Sequence, residues 1–171
     1  VAEQDIGRQL LQETAAYAES SVCRRKMLLH YFGEEYTQEN CGNCDNCKHP
    51  KQQHDAQDIL LSVLKAIFLL KEKFKQSYVM DFMRGNATHD IVSHHHDQLE
   101  DFGRGEEINT RLLNAVFRQA LISGYIHKEV ESFGLLKLTD AGREFMKTPT
   151  IFMVSDDVEF NDDSYEETSG T

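Results

Sequence analysis

The sequence predicts a mainly α-helical protein with a small β-hairpin, in which a helical zinc-binding platform is followed by a winged-helix domain. Three observations support this fold class. All four cysteines fall within 25 consecutive residues, helical periodicity governs most of the chain, and a strand-like alternation replaces it after Gly124. We therefore expect a helical zinc-binding subdomain at 1–50, a linker at 51–54, a winged helix at 55–150 and an acidic, disordered tail at 151–171.

Two helices are predicted at the start of the chain. Residues 3–19 carry an apolar stripe at spacings of mostly three and four, which is typical of an amphipathic helix. A second helix is expected from Val22 to Phe32, because a pair of serines can cap its start and Gly33 can end it. Cys23 would then lie in the first helical turn, where the positive end of the helix dipole favours a thiolate.

The cysteines have the spacing C-x17-C-x2-C-x2-C, formed by Cys23, Cys41, Cys44 and Cys47. Each x2 gap lets two thiolates converge on one point, and four thiolates around a tetrahedral centre form a closed, structural Zn²⁺ site. Two disulfides or an iron–sulfur cluster are the alternatives. Zinc is favoured, because such small disulfide loops stabilise little and the segment lacks the usual ferredoxin-type run of four cysteines.

The residues around these cysteines resemble a known family. The run from Cys23 to Glu34 reads CRRKMLLHYFGE, and the run from Cys41 to Cys47 reads CGNCDNC. Together they closely resemble the zinc-binding subdomain of RecQ-family DNA helicases. The basic residues at 24–26 are either a solvated helix face paired with nearby glutamates, or a contact that offsets the negative charge of a tetrathiolate zinc centre.

The second half is predicted to contain the elements of a winged helix in their usual order. The expected elements are a long helix capped by Asp55, a short helix ending at Gly85, a helix from Asp90 to Leu99, a helix from Asn109 or Thr110 to Ser123, a hairpin over 126–138 and a closing helix from Asp140 to Met146. Residues 103–105 are expected to form a flexible turn. In a winged helix the hairpin is the wing.

This half also resembles the winged-helix RecQ C-terminal domain. The likeness rests on FMRG at 82–85, LxxFGxG at 99–105, RQALI leading to GYI at 118–126, and LTxxG at 138–142. With the zinc subdomain it covers residues 5–150. It implies that the whole protein is an ATP-dependent, 3′ to 5′ DNA helicase of DNA repair, recombination and replication. The ATP and Mg²⁺ would then be bound only by N-terminal motor domains that are missing from this chain.

Several side chains are candidate DNA contacts. The set consists of Arg84, Gly85, Asn86, Arg104, Arg111, Asn114, Arg118, Lys128 and Phe133. By resemblance, the Arg-Gly pair at 84–85 contacts a phosphate, and the alternative is that Arg84 pairs with Asp81 near a helix end. Arg104 lies between two glycines, but Glu106 and Glu107 stand where the family often has a basic residue. Strong phosphate binding is therefore not expected at that turn.

The predicted wing and the helix before it carry the other contacts. By resemblance, Phe133 at the hairpin tip is a strand-separation wedge, and the alternative is that its ring packs back onto the wing. Arg111, Asn114 and Arg118 share one helix face, for which we favour phosphate contacts over base recognition. The histidines at 89 and 94–96 are expected to be solvated surface, because adjacent helical histidines point in different directions and cannot all bind one ion.

The net charge of −11 is concentrated in the tail. Residues 1–50 carry −3, residues 51–150 carry −1, and residues 151–171 carry −7. The body is nearly balanced and can hold a local basic face, although we expect weaker DNA binding and a shallower salt slope than for a basic domain. No segment reaches the 18 or more apolar residues of a membrane span, so an intracellular protein is expected, in the cytoplasm or nucleoid of a bacterium or the nucleus of a eukaryote.

These features predict a role in holding DNA. No GxxxxGK[ST] motif or nucleophile–base arrangement occurs, so the fragment is expected to hydrolyse nothing. We expect a monomer that grips a duplex or fork, parts its strands and packs on its own N-terminal motor domains. The alternatives are a zinc-containing winged-helix transcription regulator, which would dimerise on one duplex sequence, and a protein-interaction adaptor with negligible DNA affinity.

Overall fold

The computed structural model of the protein describes residues 2–129 and 131–155. Its helices are α1 (Ala2–Glu19), α2 (Arg24–Tyr31), α3 (Asp45–Lys48), α4 (Gln57–Leu69), α5 (Gln76–Arg84), α6 (His89–Ser93), α7 (Thr110–Ile122) and α8 (Asp140–Lys147), with a 3₁₀ turn at His96–Gln98. Its strands are β1 (Gln53–Asp55), β2 (Ile126–Glu129), β3 (Leu135–Leu138) and β4 (Met153–Ser155). The predicted mainly helical class with a small hairpin is confirmed.

Helix α4 is the centre of the winged helix. Its apolar residues recur at helical spacing, and α5, α7, α8 and β3 all pack against it. The buried face of α4 consists of Leu60, Val63, Leu64, Ala66 and Ile67. Phe82 and Phe117 from the neighbouring helices are also fully buried. Each such large side chain contributes about 1.5–3 kcal/mol by leaving water, so this cluster stabilises the domain.

A short strand pair closes the domain where the sequence predicts a linker and a disordered tail. Strand β1 pairs antiparallel with β4, and Asp55 lies opposite Met153. The Asp55 carboxylate accepts from the backbone N–H groups of Gln57 and Phe152, at 3.0 and 3.2 Å, which links the start of α4 to the closing strand. Phe152 and Val154 are buried. The folded unit therefore extends to residue 155, and the acidic part of the predicted tail, 156–171, lies outside the described residues.

The single helix predicted from Asp90 to Leu99 is wrong. Helix α6 ends at Ser93, and His95 adopts a left-handed conformation with φ of 56° before the 3₁₀ turn begins. A residue in this conformation breaks an α-helix. The break lets the rings of His94 and His96 both contact the ring of Phe74, each with a centroid distance of 5.3 Å.

The segment at 103–105 is packed rather than being a free, flexible turn. The backbone N–H groups of Gly103 and Gly105 donate to the carbonyls of Phe82 and Met83, at 3.0 and 2.7 Å. Gly85 ends α5 with φ of 73°, and a Cβ atom built on it would lie 3.2 Å from the Cα of Gly103. The spacing of glycines in the two motifs therefore reflects a close crossing of two backbone segments.

The predicted wing is present as the β2–β3 hairpin. Ile126 lies opposite Leu138 at its base, and Glu129 lies opposite Leu135 next to the loop. A third segment joins the far side of β3: Lys75 forms an isolated antiparallel bridge with Leu135. One edge of the wing sheet is therefore formed by β2, and the other edge is formed by the segment around Lys75 on the far side of β3.

Candidate metal centre and nucleic-acid interface

The four cysteines converge at one point of the platform. The Sγ atoms of Cys23, Cys41, Cys44 and Cys47 all lie within 4.8 Å of one another. All four are free thiols, so the disulfide alternative is not present in the structure. Cys23 is the N-cap of α2 and is buried, rather than lying inside the first turn as expected. Within the residues that the structure describes, no other group of histidines, cysteines and carboxylates converges in this way.

Backbone N–H groups surround two of the sulfurs and favour thiolates. The N–H groups of Cys44 and Cys47 donate to the Sγ atoms of Cys41 and Cys44 respectively, each at 3.4 Å. Backbone donors at Asn43 and Cys44 lower the pKa of Cys41 to about 6. Burial alone would raise the pKa of Cys44, but donors that include the N–H of Arg24 lower it below its ordinary value. These backbone N–H groups favour the thiolate forms of Cys41 and Cys44, and the thiolate is the form of cysteine that binds a metal cation.

The surroundings of Cys47 favour its neutral thiol when no cation is bound. Burial raises the pKa of its thiol to about 12. A bound dication reverses this preference, because a coordinating thiol is deprotonated outright. Four sulfurs without a carboxylate or imidazole match the tetrahedral Cys₄ set of structural zinc sites. The residues present therefore fit a zinc ion.

Arg24 connects three parts of the platform beside the cysteines. Its Nε and Nη2 atoms donate to the two carboxylate oxygens of Asp45, at 3.1 and 2.9 Å. The same guanidinium donates to the carbonyls of Tyr17 and Ala18 and lies 5.2 Å from the centre of the Tyr17 ring. The hydrogen bond from Arg24 lowers the pKa of Asp45. One residue of the basic run is thus a structural clamp between α1, α2 and α3.

A buried asparagine joins the segment from Cys41 to Cys47, here called the knuckle, to the α1–α2 connection. The amide Nδ2 of Asn46 donates to the carbonyls of Ser20 and Val22, both at 2.7 Å. Asn46 is 8% exposed and Ser20 is fully buried. Neither role is visible in the sequence, because Asn46 is more than twenty residues away from the groups that it binds.

Arg84 lies beside the start of α7. Its Nη1 donates to the carbonyl of Ile108 at 3.1 Å and to Oγ1 of Thr110 at 2.6 Å. The anticipated partner, Asp81, instead accepts from Nδ2 of Asn86 at 2.9 Å. The structure thereby brings the 84–86 turn next to the positive end of a helix that begins 26 residues later.

Arg104 is occupied by carboxylates. Its guanidinium pairs with Glu100 at 3.1 Å and with Asp101 at 2.6 Å, and its side chain remains 59% exposed. Two nearby acids reduce the attraction of this arginine for a phosphate. Weak phosphate binding at the 103–107 turn stays a prediction.

The face of α7 is less exposed than its sequence pattern indicates. Arg111 is exposed, whereas Asn114 and Arg118 are half-buried. The Oδ1 atom of Asn114 accepts from Nε2 of Gln76 at 3.3 Å, which joins α7 to α5. The N-terminal end of this helix is therefore its most accessible part.

Lys128 lies on β2 and is partly covered. Burial lowers its pKa, and the nearby Glu13 of α1 acts in the opposite direction. A second contact between the halves joins Nε2 of His30 to the carbonyl of Leu121 at 3.0 Å. The platform therefore faces the β2 side of the wing, and Lys128 is not an open surface lysine.

Phe133 lies at the tip of the wing. Its side chain is 64% exposed, and its backbone has φ of 58°. The loop is held from within, since the N–H of Gly134 donates to the carbonyl of Glu129 at 2.9 Å. The alternative to the wedge role was that the ring packs back onto the wing. The ring is not buried against the described part of the wing.

The fold and the cysteine cluster define a class: a zinc-binding helical platform joined to a winged helix. The chain belongs to the RecQ family. Residues 50–163 match the RQC domain, and residues 1–48 match the RecQ zinc-binding domain. The family resemblance is confirmed over both halves, and zinc is supported as the cofactor by the matched domain and the four-cysteine cluster.

Similar proteins occur in bacteria and in yeast. The chain is 33% identical to the ATP-dependent DNA helicase RecQ of Pasteurella multocida over 138 residues, which cover 80% of this chain and 22% of that protein. It is 29% identical to the protein of the same name from Haemophilus influenzae, covering 85% of this chain and 23% of the relative. It is 32% identical to the ATP-dependent DNA helicase hus2/rqh1 of Schizosaccharomyces pombe, covering 73% of this chain and 10% of the relative. The chain spans less than a quarter of the length of these relatives.

Among the described residues, no helix combines the length and apolarity needed to cross a bilayer.

Proposed function

We propose that this chain is the DNA-gripping and strand-parting part of a RecQ-type, 3′ to 5′ ATP-dependent DNA helicase. The observation that carries the proposal is the exposed Phe133 ring at the tip of a wing, in a chain of the RecQ family. ATP and Mg²⁺ would be bound by motor domains outside this chain. The platform and the winged helix then hold the DNA against which the motor works.

The zinc centre has a structural role in this proposal. Cys23, Cys41, Cys44 and Cys47 hold the ion, and a closed Cys₄ set leaves no position for water or substrate. The ion would cross-link the segments of the platform and would have no catalytic role. The Arg24–Asp45 pair and Asn46 then fix the knuckle against α1 and α2.

The duplex is proposed to contact the N-terminal end of α7. Arg84, Gly85 and Asn86 lie beside that end, together with Arg111 in the first turn of the helix. Helix N-termini attract phosphates. Asn114, Arg118, Lys128 and Arg104 are secondary contacts in this proposal, because each is half-buried or paired with other residues.

The Phe133 ring is proposed to stack on the terminal base pair of a fork. A base stacked on an aromatic side chain is worth about 1–3 kcal/mol, which is comparable with about 1.4 kcal/mol for one DNA stacking step. A positive φ is unfavourable for a bulky residue, and the ring is not buried in return. Strained, exposed positions of this kind occur at functional sites.

The outer face of the platform is proposed to pack on the motor domains. Leu11, Tyr31 and Phe32 are 71%, 58% and 70% exposed, and the two rings contact each other edge to face at 5.2 Å. Large apolar side chains that remain exposed are suited to contact with another domain. This contact would transmit the motion of the motor to the winged helix.

A binding titration tests the proposed function. Forked, blunt-duplex and single-stranded DNA of one sequence, and a fork of a second sequence, are titrated with the zinc-loaded chain at two salt concentrations. We expect fork to bind more tightly than blunt duplex, with little dependence on sequence and with affinity falling as salt rises. Tight binding to one duplex sequence by a dimer would favour a transcription regulator, and absence of DNA binding would favour an adaptor.

Replacing the wedge is expected to uncouple unwinding from ATP hydrolysis. In the whole protein, Phe133→Ala should slow unwinding of a fork about tenfold, because one base–ring stack is lost. DNA-stimulated ATP hydrolysis should change little. The matched control is Phe133→Tyr, which retains the ring and should unwind normally. Equal loss of unwinding and hydrolysis in Phe133→Ala would contradict a wedge role.

A further inference from the structure

Three lysines lie along the edge of the wing sheet beyond β3. Lys71, Lys73 and Lys75 are all exposed, and none of them pairs with a carboxylate in the part of the chain that the structure describes. Leu136 donates its N–H to the carbonyl of Phe74 at 3.0 Å, which attaches this segment to β3. We call these three residues the lysine edge.

The acid within the lysine edge is neutralised. The Glu72 carboxylate accepts from the backbone N–H of Leu138 at 3.0 Å and pairs with Arg143. Lys71 and Glu72 both adopt left-handed backbone conformations with φ of 57°, so the turn after α4 directs neighbouring side chains apart. An internal ion pair leaves the lysines as the unpaired charges of this segment, which favours a polyanionic partner.

Aromatic rings lie beside the lysine edge. The ring of Phe74 stacks on that of Tyr78 with a centroid distance of 3.9 Å, and Tyr78 Oη is 2.7 Å from Nδ1 of His96. The ring of His94 is exposed and stacks on His96 at 5.6 Å. Exposed rings next to cations are the combination that binds single-stranded nucleic acid, since bases stack while phosphates meet the cations.

The two edges of the wing sheet differ in charge and access. At the β2 edge, Lys128 is half-buried near Glu13 of the platform. At the other edge, the three lysines are exposed to solvent. Both edges lead away from the same tip, at Phe133. A strand parted at the tip therefore meets an open cationic path on one side of the wing only.

We propose that the lysine edge, with the exposed ring of His94, is a track for one single strand of DNA that has been parted at the wing. This inference rests on the proposed function and adds a site to it. Phosphates contact Lys71, Lys73 and Lys75, and an unpaired base stacks on the imidazole of His94. The duplex grip at the N-terminal end of α7 is a separate contact.

The test compares two triple variants of the whole 171-residue, zinc-loaded chain. One variant replaces Lys71, Lys73 and Lys75 by Gln, and the control replaces the exposed lysines Lys51, Lys65 and Lys147 by Gln. Both lose the same charge. Each is titrated with blunt duplex, forked DNA and single strand over a range of salt concentrations, and its circular dichroism is compared with that of the parent.

We expect the lysine-edge variant to bind fork and single strand on the order of tenfold more weakly than the control variant, and its salt slope on single strand to be smaller by about 2. Its blunt-duplex affinity should equal that of the control. Equal fork affinity of the two variants would overturn the track while leaving the proposed function intact. Equal weakening on duplex and fork would assign these lysines to the duplex and would also overturn it. Absence of DNA binding by the parent chain would instead refute the proposed function.

Discussion

Removing the metal from the reduced protein is expected to unfold the platform and to leave the winged helix folded. Cys23 is the only buried apolar residue among the described side chains of residues 3–48. A platform without an apolar core depends on its cross-link, and structural zinc typically contributes about 10–16 kcal/mol to the folding of such a unit. The winged helix has its own core around α4 and should keep its helical structure.

The measurement is far-UV circular dichroism and an amide NMR spectrum before and after a chelator removes the metal. Signals from 2–48 should collapse to random-coil positions, while those of α4 to α8 remain dispersed. Adding Zn²⁺ to the reduced, metal-free protein should restore them, and a Cys47→Ser variant should resemble the metal-free form. An unchanged spectrum after verified metal loss would refute the structural role of the ion.

Adding one methyl group at Gly142 is expected to destabilise the winged helix strongly. A Cβ atom at this position of α8 would overlap the carbonyl oxygen of Tyr125, which is backbone and cannot rotate away. The same carbonyl accepts from the N–H and the hydroxyl of Thr139, at 3.2 and 3.0 Å, so it is held in place. Gly142→Ala should therefore lower the free energy of unfolding by about 3 kcal/mol.

Urea denaturation followed by a probe in the winged helix measures this loss. The control is Gly7→Ala, which adds the same methyl to a helix at a position where nothing lies within 4 Å. That change should leave the winged helix unaffected and should favour α1 by about 0.5–1 kcal/mol. If Gly142→Ala unfolded at the same urea concentration as the parent protein, the described packing of α8 on Tyr125 would be wrong.

The sequence predicted those elements whose apolar pattern repeats over enough residues to be recognised. Helices α1, α4 and α7 follow from apolar spacing, and the hairpin follows from alternation around Glu131 to Gly134. The β1–β4 pair was missed, because three-residue strands are too short to show a period and their partners are about a hundred residues apart. The break at His95 was missed because helix propensity depends on local sequence, whereas the rings of His94 and His96 pack on Phe74, which is about twenty residues earlier in the chain.

In the candidate site, too, the local features were predictable from the sequence and the long-range contacts were not. Cysteine spacing is a local signal, and the four sulfurs do converge. The partners of Arg24 and Arg84 were not predictable, since both arginines bind groups more than twenty residues away in the chain. The resemblance predicted Arg84 as a DNA contact, which stays a prediction, and only the structure relates this residue to the start of α7. Phe133 was found because a large aromatic residue at a hairpin turn is unusual whatever the fold.

Zinc-edge X-ray absorption on the purified, reduced protein tests the central claim most directly, which is that one zinc ion held by four thiolates organises the platform. We expect one zinc per chain with four sulfur neighbours at about 2.3 Å and no nitrogen or oxygen neighbour. A site with histidine or water in the first coordination sphere, or a protein that retains no metal, would contradict the account.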